Sequence, residues 1–210
     1  MLWRVLRFLF VILCYNWLMR IIASIFVMLV LVAPAFSEDA VTPAVKQSPA
    51  QMRSDQIDKL FGQLHQANLT QDPSQIEQDI RNLWARNDSP TAEVLLSQAT
   101  AAMNAHEYDA AEQMLIQTIE SYPNFSEAWN RRATLYFMMN RFNDSLVDIG
   151  HVLDLEPRHF GALAGKGAVL KAMGKTTEAL AALKEALAID PHMESVAVTV
   201  KEMEKAEPGI

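Results

Sequence analysis

Between Ala92 and Met193 the apolar and polar positions of this chain return in step every 34 residues. Leu95, Trp129 and Leu163 share one column, Ala99, Ala133 and Gly167 a second, and Ala102, Tyr136 and Leu170 a third. Further along the interval come Ala111, Ser145 and Ala179, then Leu115, Ile149 and Leu183, then Thr118, Val152 and Ala186. These columns divide between two helices per interval. The first helices are expected at Ala92–Ala105, Ser126–Met139 and Phe160–Met173, the second at Asp109–Ser121, Asn143–Leu155 and Thr177–Ile189. A fixed interval of this length predicts an all-α stack of helix pairs, each burying its apolar face on the next.

The punctuation repeats with the same step. His106, Asn140 and Gly174 fall between the paired helices, where a tight turn favours a left-handed backbone that Gly, Asn and His visit more readily than most residues. Asp109, Asn143 and Thr177 follow, each with a side-chain oxygen able to cap a helix start, and Asp109 with Glu112 has capping-box spacing. Pro123, Pro157 and Pro191 stop the second helices, because the residue before a proline is driven out of the helical region.

The flanks carry weaker versions of the pattern. Ser54 or Asp55 is expected to start a helix whose stripe is Ile57, Leu60, Phe61 and Leu64. Gln71–Ser74 breaks it, and Ile76, Ile80, Leu83 and Trp84 make the stripe of a second helix ending at Asn87–Pro90. Residues 54–91 thus form a degenerate helix pair, expected to cap the first regular unit of a series running 92–125, 126–159 and 160–193. Beyond it, 194–210 holds an amphipathic helix with Val196, Val200 and Met203 on one side, suited to lie over the last pair. Upstream, 38–53 contains Pro43 and Pro49 without apolar periodicity and is expected to be an extended linker.

Small residues at Ala99, Ala133, Gly167, Ala111, Ser145 and Ala179 alternate with large ones, and a proline ends each unit. In this arrangement the chain resembles the tetratricopeptide repeat family, with Trp129, Ala133, Tyr136, Ser145, Ile149 and Pro157 the best-matched set. It departs where Leu95 and Leu163 replace tryptophan and where Ala102 and Leu170 replace tyrosine. The resemblance implies a right-handed superhelical solenoid whose first helices line a concave side that receives a peptide or helix of a partner protein. Carried over by register, the partner-binding positions are Leu96, Thr100 and Met103 in the first unit, Asn130, Thr134, Phe137 and Met138 in the second, and Lys171 in the third. Family members that grip a terminal carboxylate place Lys, Asn and Arg on these columns. Here Leu96, Thr100, Thr134, Ala164 and Ala168 stand there and only Asn130 fits, so a neutral to apolar groove is expected.

Composition narrows the function further. The formal charge is −7. Three of the 18 basic residues, Arg4, Arg7 and Arg20, precede the first acidic one, Glu38, which leaves 15 basic against 25 acidic residues in the body. An acidic domain is a poor match for nucleic acid. Cys14, the only cysteine, rules out a disulfide framework or thiolate metal site in the body. His151, Asp154 and His159 are too few and too scattered for a metal-assisted hydrolase and read as polar surface residues. His106 and Asp109 already serve a turn and a cap, and no phosphate loop or catalytic motif is present. No enzyme activity, metal or cofactor is expected.

Residues 1–37 read as a secretory signal. Arg20, the apolar run Ile21–Val32 and the small-residue patch Ala33–Ser37 are its three parts, with cleavage expected after Ala35 or Ser37. Met19 is a complete start for such a signal. The competing reading is an uncleaved anchor, since Ile21–Ser37 is uncharged over a length at the short edge of a bilayer span. Cleavage gives a periplasmic or secreted protein. Retention gives a structural tether at the inner membrane, facing the periplasm.

Overall fold

The computed structural model describes residues 48–67 and 72–206. The expected leader, the expected start at Met19, the expected cleavage sites and most of the expected linker lie outside the described residues. Those described form nine α-helices: α1 (Pro49–Gln66), α2 (Pro73–Trp84), α3 (Pro90–Asn104), α4 (Tyr108–Ser121), α5 (Ser126–Met138), α6 (Phe142–Leu155), α7 (Phe160–Ala172), α8 (Thr176–Ile189) and α9 (Glu194–Ala206). Among them no helix is long and apolar enough to cross a membrane.

The expected turns are present at all three sites. His106, Asn140 and Gly174 have φ of 62°, 58° and 74°. Each closes a Schellman motif: the N–H of Glu107, Arg141 and Lys175 donates to the carbonyls of Ala102, Tyr136 and Leu170 at 2.9, 2.8 and 2.9 Å, which satisfies carbonyls that the helix end leaves open. The capping expectation fails. Glu107, Arg141 and Lys175 are the N-cap residues and none makes a side-chain cap. The Schellman turn feeds the next helix without a spacer, so Asp109, Asn143 and Thr177 fall at its second position, and Glu112 pairs instead with Arg141 at 2.8 Å.

The core follows the columns. α3 packs on α4, α5 on α6 and α7 on α8, while α3, α5 and α7 also touch in series. A Cβ on Gly167 would stand 2.5 Å from Cγ and Cδ2 of Leu183 and 3.3 Å from the Ala179 carbonyl oxygen, so this position sets how closely α7 and α8 approach. Gly165 is different: a Cβ there would meet only Ile149 Cδ1, at 3.9 Å, so close helix packing does not require glycine at that position. Ser145 Oγ donates to the Ala133 carbonyl at 2.8 Å, and Arg132 forks onto buried Asp148 with two bonds of 2.8 Å, both tying α5 to α6.

The N-terminal pair departs from expectation twice. α1 begins at Pro49, with Ser48 Oγ accepting from the Gln51 N–H, so the linker gives way to helix earlier than residue 54. The pair also does not simply cap the first unit. Ile57, Phe61, Leu64, Ile76, Ile80 and Trp84 form one cluster with Phe160 at the start of α7, joined by Ile189 and Met193. Arg158 donates to Asp58 at 2.7 Å and lies 4.5 Å over the Phe61 ring, and His192 Nε2 sits 3.2 Å from the Leu64 carbonyl oxygen. Ala85, just past α2, reaches the first unit's cluster. The hairpin therefore straps the edge formed by the loops entering α7 and α9.

Candidate functional site

First helices and α9 together build a groove. One cavity of about 550 Å³ is lined by Phe137 from α5, Ala164, Ala168, Lys171 and Ala172 from α7, Leu183 from α8, and Ser195, Val196 and Thr199 from α9. A second, of about 110 Å³, shares Phe137 and Ala168 and adds Asn130, Ala133, Thr134, Ser145, Ile149, Gly161, Gly165 and Val169. The small residues on α7 recur three and four apart, so one face of that helix is flat. Phe137 stands beside it, 37% exposed.

The chemistry of this groove is mostly apolar. Thr134 Oγ1 donates to the Asn130 carbonyl at 2.9 Å, which turns its hydroxyl proton back onto its own helix. Asn130 Nδ2 donates to Glu127 at 3.0 Å, leaving its amide oxygen as an acceptor. Lys171 is exposed and makes no ion pair with a described residue. The groove can thus receive a large apolar side chain, one N–H donor and one anionic or carbonyl oxygen.

Of the partner-binding positions carried over by register, the structure brings Asn130, Thr134, Phe137 and Lys171 to these cavities. Met138 is 40% exposed but lines neither. Leu96 and Met103 are corrected: both are 5% exposed, closed into a cluster with Ala128 and Leu135 of α5, because a long apolar side chain beside the next helix fills the seam rather than facing solvent. Thr100 is half-buried, its hydroxyl donating to the Leu96 carbonyl at 2.8 Å. The α9 wall was missed by the sequence reading, although α9 keeps the beat: Ser195 and Thr199 stand 34 residues after Gly161 and Gly165.

A second arrangement, also missed, lies on the strapped edge. His159, read from sequence as a polar surface residue, is 2% exposed. Its Nδ1 accepts from the Ala162 N–H at 3.0 Å, so Nε2 carries the proton and faces Glu127 Oε2 at 3.3 Å. Its ring stacks on Trp84 with centroids 4.0 Å apart. Burial pushes the Glu127 carboxyl up, but the bond from His159 and the charge of Arg131, 2.8 Å away, outweigh it and hold the group below its ordinary value. Asp190 behaves oppositely, raised by burial with Oδ2 unpaired. His151 lies against the Trp129 ring, centroids 4.2 Å apart. Among the described residues no three His, Cys, Asp or Glu side chains gather where a metal could be held.

Paired helices in register, turned by Schellman motifs and opening a groove on their first helices, define a helical-repeat protein. Residues 96–150 match the tetratricopeptide repeat profile. A TPR repeat-containing protein of Rhizobium etli is 39% identical over 135 residues, covering 64% of this chain and 66% of that protein, just under two thirds of its length. The chain carries tetratricopeptide repeats, and its all-helical stack resembles the solenoids of that family. Among solved structures, the first TPR of Spaghetti (RPAP3) bound to the HSP90 peptide SRMEEVD is similar with a TM-score of 0.54 and 22% identity, over 57% of this chain and 94% of that one. The TPR2B domain of yeast Sti1 in complex with pHsp70 gives 0.53 and 15%, over 57% and 100%.

Proposed function

We propose that this protein is a non-catalytic interaction scaffold that holds a peptide or helix of a partner protein in the groove between α5, α7 and α9. The carrying observation is Phe137, a large aromatic side chain 37% exposed at the junction of two cavities; such residues anchor partners when desolvated. The RPAP3 and Sti1 structures are complexes, which supports a ligand in the corresponding place. The ligand chemistry here is different from a peptide such as SRMEEVD. The cavities offer one cation, Lys171, among alanines and threonines, so an apolar anchor, not a terminal carboxylate, is the main determinant.

The reading of residues 1–37 as a secretory signal supports a role as a scaffold or assembly factor of the bacterial cell envelope, periplasmic or secreted. The second reading, a tether held at the inner membrane by an uncleaved leader, rests on the same uncharged segment. Selection of a displayed peptide library on the full-length protein tests the groove. Recovered peptides should carry a large apolar residue, and Ala168→Glu should weaken them by about tenfold or more. Recovery of acidic C-terminal peptides indifferent to Ala168→Glu would contradict the reading. The mass of the mature protein separates the two locations: loss of the leader rejects the tether.

A further inference from the structure

The strap and the groove meet at one buried carboxylate. Glu127 stands in the first turn of α5 and is 5% exposed. Its Oε2 takes two donors, His159 Nε2 at 3.3 Å and Asn130 Nδ2 at 3.0 Å, and its Oε1 pairs with Arg131 at 2.8 Å. Asn130 lines the smaller groove cavity, while the His159 ring lies stacked on Trp84 of the hairpin. A line of direct contacts thus runs from Trp84 through His159 and Glu127 to Asn130.

Each link fixes the orientation of the next. His159 Nδ1 accepts from the Ala162 N–H, so Nε2 carries the proton, and the flat contact with Trp84 keeps that proton aimed at Glu127. The Glu127 carboxyl lies below its ordinary value, and an ionised carboxylate can only accept. Asn130 must therefore turn its NH2 to Glu127 and leave Oδ1 as its free acceptor; the reverse sense would set two acceptors face to face. The hairpin supplies the second state. It joins the array through the link 85–89 and is held down by the cluster around Phe160, by Arg158 on Asp58 and by His192 at the Leu64 carbonyl. An element held by so few contacts opens without the rest of the fold. Opening exposes His159 to water, and a hydrated imidazole no longer has to point at Glu127. We infer that Trp84, His159 and Glu127 form a relay that positions Asn130, so that the docked hairpin favours a ligand N–H donating to Asn130 Oδ1, and such a ligand holds the hairpin down. Linkage makes the effect equal in both directions. This coupling rests on the groove as the ligand site and adds a regulator to it, since none of the three relay residues lines either groove cavity.

The test uses the full-length protein in two arms. Without peptide, the Asn130 side-chain amide protons, followed by heteronuclear NMR, should exchange with water faster in Trp84→Ala than in the wild type. The second arm measures a fluorescein-labelled peptide from the library selection by anisotropy. Trp84→Ala should weaken it about fivefold or more, with hydrogen exchange in α4–α8 unchanged. Asn130→Ala should weaken it as much, and the double variant no further, because both act through one contact. A merely loosened array would give additive losses. Arg158→Ala, which cuts the Asp58 bond at the surface, should act in the same direction more weakly and serves if Trp84→Ala does not fold. Peptide affinity indifferent to both strap variants, additive losses in the double variant, or unchanged exchange at Asn130 would overturn the inference and leave the groove reading standing. Should no peptide be recovered, the groove reading falls, and the relay stands or falls on the Asn130 exchange alone.

Discussion

The regular units and the N-terminal hairpin are both antiparallel helix pairs, yet they are held in place by different means. In α3–α8 each helix packs against its neighbours in sequence, so the same few columns specify every interface. The hairpin reaches partners far along the chain, Asp58 to Arg158 and Leu64 to His192. Short-range packing makes the array close to additive in its repeats. The strap depends instead on a handful of side chains around Trp84, His159 and Phe160, so single substitutions should separate the two regions.

Trp84→Ala should have the largest effect. It removes a ring set between Phe61, His159 and Phe160, at a cost of about 3–5 kcal/mol. In hydrogen exchange α1 and α2 should lose protection while α4–α8 keep theirs; equal loss throughout would show that the strap and array fold as one. Gly167→Ala should act in the reverse sense. Overpacking against Leu183 costs about 1–3 kcal/mol, lowering the melting temperature of the array with the Trp84 stack retained.

Glu127→Gln should come next, at about 1–3 kcal/mol for a buried charged hydrogen-bond partner. Because the folded Glu127 carboxyl lies below its ordinary value, its contribution is complete above that ordinary value and is lost as pH falls through the lowered one. Trp84 fluorescence against pH should show an acid transition in the wild type that Glu127→Gln lacks. Asp190→Asn has the opposite sign. Its raised carboxyl stabilises the fold only at low pH, a contribution lost as pH rises. The amide should therefore gain up to about 1 kcal/mol at neutral pH, seen as a higher denaturation midpoint.

The regular part of the fold was legible because its determinants recur. His106, Asn140 and Gly174 announce one turn three times, and α9 begins where the step from Phe160 puts it. The caps misled because Asp109, Asn143 and Thr177 have the right chemistry two residues beyond the N-caps Glu107, Arg141 and Lys175. The groove was half legible. Register finds Asn130, Thr134, Phe137 and Lys171, but it cannot show that Leu96 and Met103 close against α5. A Leu96→Glu substitution would bury a charge in the core instead of blocking a ligand. The strap was illegible for the same reason that it is fragile: Trp84 and His159 each occur once, and nothing periodic links them.

The smallest effect on stability should come from Phe137→Ala, about 1 kcal/mol or less for so exposed a ring, with the largest effect on partner capture. The most direct measurement is photo-crosslinking in cells, with a photoreactive phenylalanine analogue placed at Phe137 and, in parallel, at Val147. Val147 is 61% exposed on α6 and lines neither cavity. A partner crosslinked from position 137 and not from 147 is the result expected of a groove-bound ligand; crosslinks from 147 alone would contradict it.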